Sequence, residues 1–202
     1  MSRGVWEWER NAERARRRWD RPAATQAESA GARRFRCIFF RVLRAIDFLA
    51  AQPEWDGRTL VVWGSSMGGA QALAAAGLDS RVTFVAANMP GLCDLTGAVA
   101  NRAGGWPYYL KSAAAGGSPA TLEAVRYYDA VNFASRTRAS ALIVVGFLDI
   151  TCPPTTVYTA YNALRGSKEI MHLVSAGHVL PPEARSAMRQ AVLRHIADRR
   201  RQ

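Results

Sequence analysis

The stretch Thr59-Leu-Val-Val-Trp-Gly-Ser-Ser-Met-Gly-Gly-Ala-Gln-Ala-Leu-Ala-Ala-Ala-Gly-Leu78 decides the fold. Thr59 to Trp63 is a short β-branched and apolar run that predicts a buried strand, and Ala70 to Leu78 is a run of strong helix formers. Between them lies Gly64-Ser65-Ser66-Met67-Gly68, a G-x-S-x-G sequence. At a strand-to-helix join this pattern forces its central serine onto a tight, strained turn, with the hydroxyl exposed above the sheet. Ser66 is therefore the candidate nucleophile. Gly64, Gly68 and Gly69 are the small residues such a turn needs, because it draws the strand and helix backbones together. The competing reading is an ordinary Gly-rich loop with two incidental serines.

On the N-terminal side, Phe35, Ile38, Phe39, Val42, Ile46 and Leu49 recur at helical spacing, opposite Arg36, Arg41, Arg44 and Asp47. They predict an amphipathic helix over Phe35 to Ala51 that packs on a sheet. Pro53 stops it, and Pro53 to Gly57 is the turn into the strand at Thr59. Residues 1–34 read as an Arg-rich leader, an appendage to a hydrolase unit over residues 35–202. The leader has a basic stretch at Arg14 to Arg18, a short helix that Trp6, Trp8 and Trp19 would line, and a loop over Pro22 to Gly31.

On the C-terminal side, Val82 to Ala87 reads as the next strand, so strand, helix and strand form a right-handed parallel crossover. Residues 89–117 are rich in Gly, Pro and Ala around Trp106-Pro107-Tyr108-Tyr109. Either this excursion walls a substrate pocket, with Pro90, Leu92, Trp106 and Pro107 as its lining, or the aromatic residues pack the loop down. Ser118 and Pro119 open a helix to about Tyr128. Ala141 to Leu148 is the clearest buried strand, Thr155 to Leu164 a helix, and Glu169 to Val174 the last strand. Pro181 and Pro182 open a terminal helix with a stripe of Met188, Ala191, Val192 and Ile196.

Composition narrows the class. The chain has 202 residues, 49% hydrophobic and 21% charged, which fits one globular domain. There is no apolar run near the roughly 18 residues of a membrane span, and the Arg-rich first 30 residues do not read as a secretory signal. Cys37, Cys93 and Cys152 have no metal-like spacing and read as reduced thiols of a cytoplasmic protein. The net charge of +11 comes largely from the two ends: of 25 arginines, 12 precede residue 45 and 6 follow residue 184. That distribution does not trace a phosphate-binding groove, and specific nucleic-acid binding is not expected.

Ser66, Asp149 and His178 each stand just past the carboxyl end of a strand, where an open parallel sheet forms its ligand crevice. Their chain order is that of a nucleophile-elbow hydrolase. A serine hydroxyl needs an imidazole to take its proton, and the imidazole needs a carboxylate on its other nitrogen. The Met67 backbone N–H, at the helix start, would give one donor to an oxyanion. His172 and His195 compete with His178, and Asp94 and Asp129 with Asp149. The loop positions of His178 and Asp149 favour them.

With these residues in hand, the chain resembles the acetyl xylan esterase and cephalosporin-C deacetylase family of α/β hydrolases, carbohydrate esterase family seven. The likeness spans about residues 35–183. It lies in Pro53-Glu-Trp-Asp-Gly57, Gly64-Ser-Ser-Met-Gly-Gly69, Met89-Pro-Gly-Leu-Cys-Asp94 and Tyr128-Asp-Ala-Val-Asn-Phe-Ala134. It continues in Gly146-Phe-Leu-Asp-Ile-Thr-Cys-Pro-Pro154, Tyr161-Asn162 and Gly177-His178. The resemblance implies a partial α/β-hydrolase fold, a mostly parallel sheet with helices on both faces that lacks the family's N-terminal strands. It further implies a serine carboxylesterase that removes acetyl groups from acetylated sugars, without metal or organic cofactor, often as a homo-oligomer. Met67 stands where the family usually has Gln, and Val179 where it has an acidic residue. An upstream tyrosine loop of the family's oxyanion site has no counterpart in residues 1–34, so the resemblance implies weakened activity. Two other readings stay open: another α/β hydrolase, of peptidase or dienelactone-hydrolase type, and a catalytically silent interaction module.

Overall fold

Small side chains allow the nucleophile helix to lie close on its strand, and the rest of the chain is layered around that contact. The structure, a computed structural model, describes residues 26–108 and 119–201. The readings made for Trp6, Trp8 and Trp19, for Arg14 to Arg18, for Tyr109 and for Ser118 lie outside the described residues.

Helix α1 (Gln26–Ala50) begins well before the expected Phe35, so the chain is helical from Gln26 where a loop to Gly31 is expected. Local composition hides this start, because Gly31 and the polar residues around it weaken the periodic signal. Phe35, Phe39 and Ile46 are buried as expected, with Phe35 stacked on Tyr128 at 5.1 Å and Phe39 edge-on to Phe133 at 5.3 Å. Leu49 departs from the expected apolar face. It is exposed, as is Phe48, in the last turn before the chain leaves at Pro53. In the turn that follows Pro53, Asp56 Oδ1 accepts the N–H groups of Arg58 and Thr59 at 2.9 and 2.8 Å.

Strand β1 (Val61–Ser65) leads through Ser66 into α2 (Met67–Leu78), and then come β2 (Phe84–Asn88), α3 (Pro119–Arg126) and α4 (Ala130–Ala134). Strand β3 (Ser140–Gly146), α5 (Pro154–Ala163), β4 (Lys168–Leu173) and α6 (Pro182–Arg201) complete the order. The described sheet has four strands, ordered β1-β2-β3-β4, all parallel. Val62 pairs with Val85, Val85 with Ala141, and Ile143 with Ile170. All four carboxyl ends therefore point the same way.

Helices α1, α2, α4 and α5 pack serially into one layer, and α6 packs on β2 and β3. Burial of Gly69, Ala70, Ala72, Leu73 and Ala74 to Ala76 along α2 explains its closeness to neighbouring elements. A Cβ on Gly77 would lie 2.4 Å from Phe133 O, so only glycine lets α2 and α4 meet there. Leu73, Ile143, Val85 and Val145 lie at the centre of the core, fully buried. Each contributes about 1.5–3 kcal/mol through removal from water. Among the described residues, no helix is long and apolar enough to cross a membrane.

Candidate active site

Ser66 sits between the end of β1 and the start of α2 with φ 56° and ψ −119°, a conformation that costs a side-chain-bearing residue about 1–3 kcal/mol. Neighbouring backbone holds it there. Its N–H donates to Asn88 O at 2.9 Å, and its carbonyl accepts from Ala70 and Gly91 at 3.1 and 2.9 Å. The hydroxyl is thereby aimed away from the sheet, at the loop that follows β4.

The structure brings Ser66, His178 and Asp149 together. Ser66 Oγ lies 2.8 Å from His178 Nε2, and His178 Nδ1 lies 2.7 Å from Asp149 Oδ2. An ionised carboxylate only accepts, so Nδ1 carries the proton and Nε2 is left to accept from the serine hydroxyl. The Asp149 side chain is fully buried, and its Oδ1 accepts from the N–H groups of Thr151 and Cys152, both at 2.8 Å. Leu148 N–H donates to Ala176 O at 3.0 Å, which ties the loop of the acid to that of the histidine. His178 is part-exposed, so one side of the imidazole faces the solvent.

Met67 is the first residue of α2, so its N–H has no carbonyl within the helix to bond. It directly follows the nucleophile in the chain.

The expected pocket lining divides. Leu92 is fully buried, its N–H bonded to Trp106 O at 3.0 Å and its carbonyl to Ala130 N at 2.7 Å, so it is core and not a pocket wall. Pro90 is also buried, packed 3.0–3.1 Å from where a Cβ on Gly69 would stand. Both are corrected by the same cause: the start of the excursion folds back onto α2 to pin the serine turn. Trp106 and Pro107 keep exposed surface. The Trp106 ring lies 3.3 Å from a Cβ position on Gly91, itself 3.7 Å from the Ser66 carbonyl carbon.

The competing residues serve elsewhere. His172 Nε2 bonds the Tyr158 hydroxyl at 2.8 Å, and His195 Nε2 bonds Thr83 Oγ1 at 2.9 Å. Asp94 pairs with Arg102 at 2.8 Å. Asp129 caps α4 and accepts the N–H groups of Asp94, Leu95 and Val131, while burial pushes its carboxyl up to about 6.

Two neighbours of the site escape the sequence reading. The Cys152 thiol is buried beside Asp149 and Ser66; burial, and then the Asp149 charge, push it up to about 12, so it stays protonated. Its signal is the turn Asp149-Ile150-Thr151-Cys152, which wraps the carboxylate and carries the thiol back toward it. The Tyr108 hydroxyl donates to Thr151 O at 2.7 Å with the Ile150 carbonyl alongside, bracing that turn from a loop that no sequence pattern connects to it.

Comparison with known proteins places these features. A curated relative, the acetyl esterase Axe7A of Xylanibacter ruminicola, is 43% identical over 134 residues, 65% of this chain and 30% of that one. The solved acetyl xylan esterase from Paenibacillus sp. R4 superposes with TM-score 0.68 at 35% identity, over 77% of this chain and 51% of that one. Acetyl xylan esterase 1 from Thermoanaerobacterium sp. JW/SL YS485 gives TM-score 0.70 at 28% identity, over 79% of this chain and 53% of that one. The chain thus spans about half the length of these solved relatives and under a third of the curated one. The parallel sheet with its helices is that of an α/β hydrolase. The family profile described as acetyl xylan esterase (AXE1) matches residues 27–191, from the start of α1 into α6 and through every loop that bears Ser66, Asp149 and His178. The chain belongs to the acetyl xylan esterase (AXE1) family.

Proposed function

We propose that this protein is a serine carboxylesterase that removes acetyl groups from acetylated sugars. The observation that carries the proposal is the hydrogen-bonded chain Ser66 Oγ, His178 Nε2, His178 Nδ1 and Asp149 Oδ2, with links of 2.8 and 2.7 Å. Ser66 Oγ attacks the acetyl carbonyl as Nε2 takes its proton, and the Met67 N–H faces the developing oxyanion. Nε2 then returns the proton to the departing sugar hydroxyl, water enters by the same route, and acetate leaves. Asp149 holds the tautomer and stabilises the imidazolium. The acetyl-sugar substrate class rests on relatives named acetyl esterase and acetyl xylan esterase.

The test is release of p-nitrophenol from the acetyl ester by the wild-type protein and by Ser66→Ala. Equal rates sink the proposal. Acyl chains longer than acetyl test the peptidase and dienelactone-hydrolase readings, and faster turnover on those would favour them.

A second reading, a catalytically silent module that works by association, is favoured by Trp63, 42% exposed on β1, an edge of the described sheet. Failure of a fluorophosphonate probe to label Ser66 would support it over the esterase.

A further inference from the structure

Cys152 has no part in acyl transfer, yet it is buried against the reacting groups. One donor atom each from Asp149, Cys152 and His178 lies within 4.8 Å of the other two. The sequence hides this set, because Asp149 and Cys152 lie on one loop and His178 follows another strand. The donors are a carboxylate, a thiol and an imidazole, a mixture that suits a borderline-soft cation and not Mg²⁺ or Ca²⁺. Tetrahedral Zn²⁺ takes bonds of about 2.0–2.1 Å to His nitrogen and 2.3 Å to Cys sulfur, which sets ligands roughly 3.5 Å apart. Asp149 and His178 already stand 2.7 Å apart in a hydrogen bond, closer than two ligands of one zinc ion, so the metal would displace that bond and open the pair, a movement that falls to His178, the part-exposed member. The other two are buried, and Asp149 is fixed by the Thr151 and Cys152 N–H groups.

We propose that Asp149, Cys152 and His178 form an inhibitory Zn²⁺ site laid over the catalytic groups, with water in the fourth position. On binding, the Cys152 thiol gives its proton to solvent and coordinates as thiolate. His178 then spends a nitrogen lone pair on the metal, and Asp149 spends carboxylate charge on it. Ser66 loses its base without being touched. The inhibitory effect rests on the esterase proposal; the metal site itself does not.

The experiment therefore reads binding apart from turnover. Chelator-treated protein is titrated with Co²⁺ as a spectroscopic stand-in, in a Cys37→Ser background that removes the one exposed thiol among the described residues. A near-ultraviolet sulfur-to-cobalt charge-transfer band, displaced by Zn²⁺, is the expected result. Its absence overturns the proposal whatever the activity. Zn²⁺ affinity by calorimetry should fall at least about tenfold in Cys152→Ser and in Cys152→Ala, as expected when one ligand of three is removed. Unchanged affinity in either variant that melts cooperatively also overturns it. In the wild type, Zn²⁺ should suppress p-nitrophenyl acetate hydrolysis and fluorophosphonate labelling of Ser66, and a chelator should restore both. A cobalt band in a protein with no hydrolysis would sink the esterase reading and leave the zinc site standing.

Discussion

Gly64 and Gly68 are in backbone contact across the nucleophile turn: a Cβ on Gly64 would stand 2.1 Å from the Gly68 carbonyl oxygen. No real Cβ survives at that distance, and the obstructing atom is main chain. Gly64→Ala must therefore push α2 off β1. A destabilisation of about 3 kcal/mol, at the upper end for overpacking, is expected in urea melts, together with loss of any esterase activity. Gly68→Ala meets open space and should change stability by less than about 1 kcal/mol, the helix-propensity scale.

The serine is strained, and two substitutions separate strain from chemistry. Ser66→Ala and Ser66→Gly both remove the hydroxyl, and both should lower kcat by about 10⁴-fold or more. They differ in that glycine accepts φ 56° and ψ −119° while alanine does not. Ser66→Gly should be the more stable by about 1 kcal/mol, read as a higher Tm.

Asp149→Asn tests the role of the carboxylate. The amide oxygen can keep the two N–H bonds from Thr151 and Cys152, so the fold should survive. Its NH₂ would donate to His178 Nδ1 and force the imidazole proton onto Nε2, which then has no lone pair for Ser66. A drop in kcat of about 10⁴-fold with little change in KM or Tm is expected. A loss of stability without that drop would contradict the assignment.

His195 makes stability depend on pH. Burial first, then the Arg199 charge, lowers it below its ordinary value of 6.5, so the folded protein resists its protonation and the unfolded chain does not. Its stabilising contribution is full above pH 6.5 and is lost as pH falls from 6.5 through the lowered value. His195→Gln keeps a donor for Thr83 and cannot titrate. The wild type's stability relative to this variant should shrink between pH 7.5 and 5.5 in paired thermal melts, and a growing difference would contradict this.

Strand β1 is an edge of the described sheet and exposes Trp63, so the chain should associate as its concentration rises. Size-exclusion with light scattering should show that shift for the wild type and a weaker one for Trp63→Lys. A wild type that stays monomeric throughout would contradict it.

What the sequence by itself determined was the local chemistry: an apolar run, a Gly-Ser-Ser-Met-Gly join and an alanine-rich helix fix a strand, a strained serine and a close-packed helix. Parallel strands that carry Asp149 and His178 at their ends make those residues legible too, because a crossover sheet sends every carboxyl end to one side. Periodicity is local, so it could not show that α1 starts at Gln26 or that Leu49 turns outward at the helix end. Tertiary structure alone decided that Pro90 and Leu92 are buried as the excursion folds back, and that Tyr108 braces the acid's turn. It also placed the Cys152 thiol against Ser66 and Asp149. Contacts of that kind depend on how a loop closes over elements distant in sequence, and neither residue type nor spacing encodes that closure.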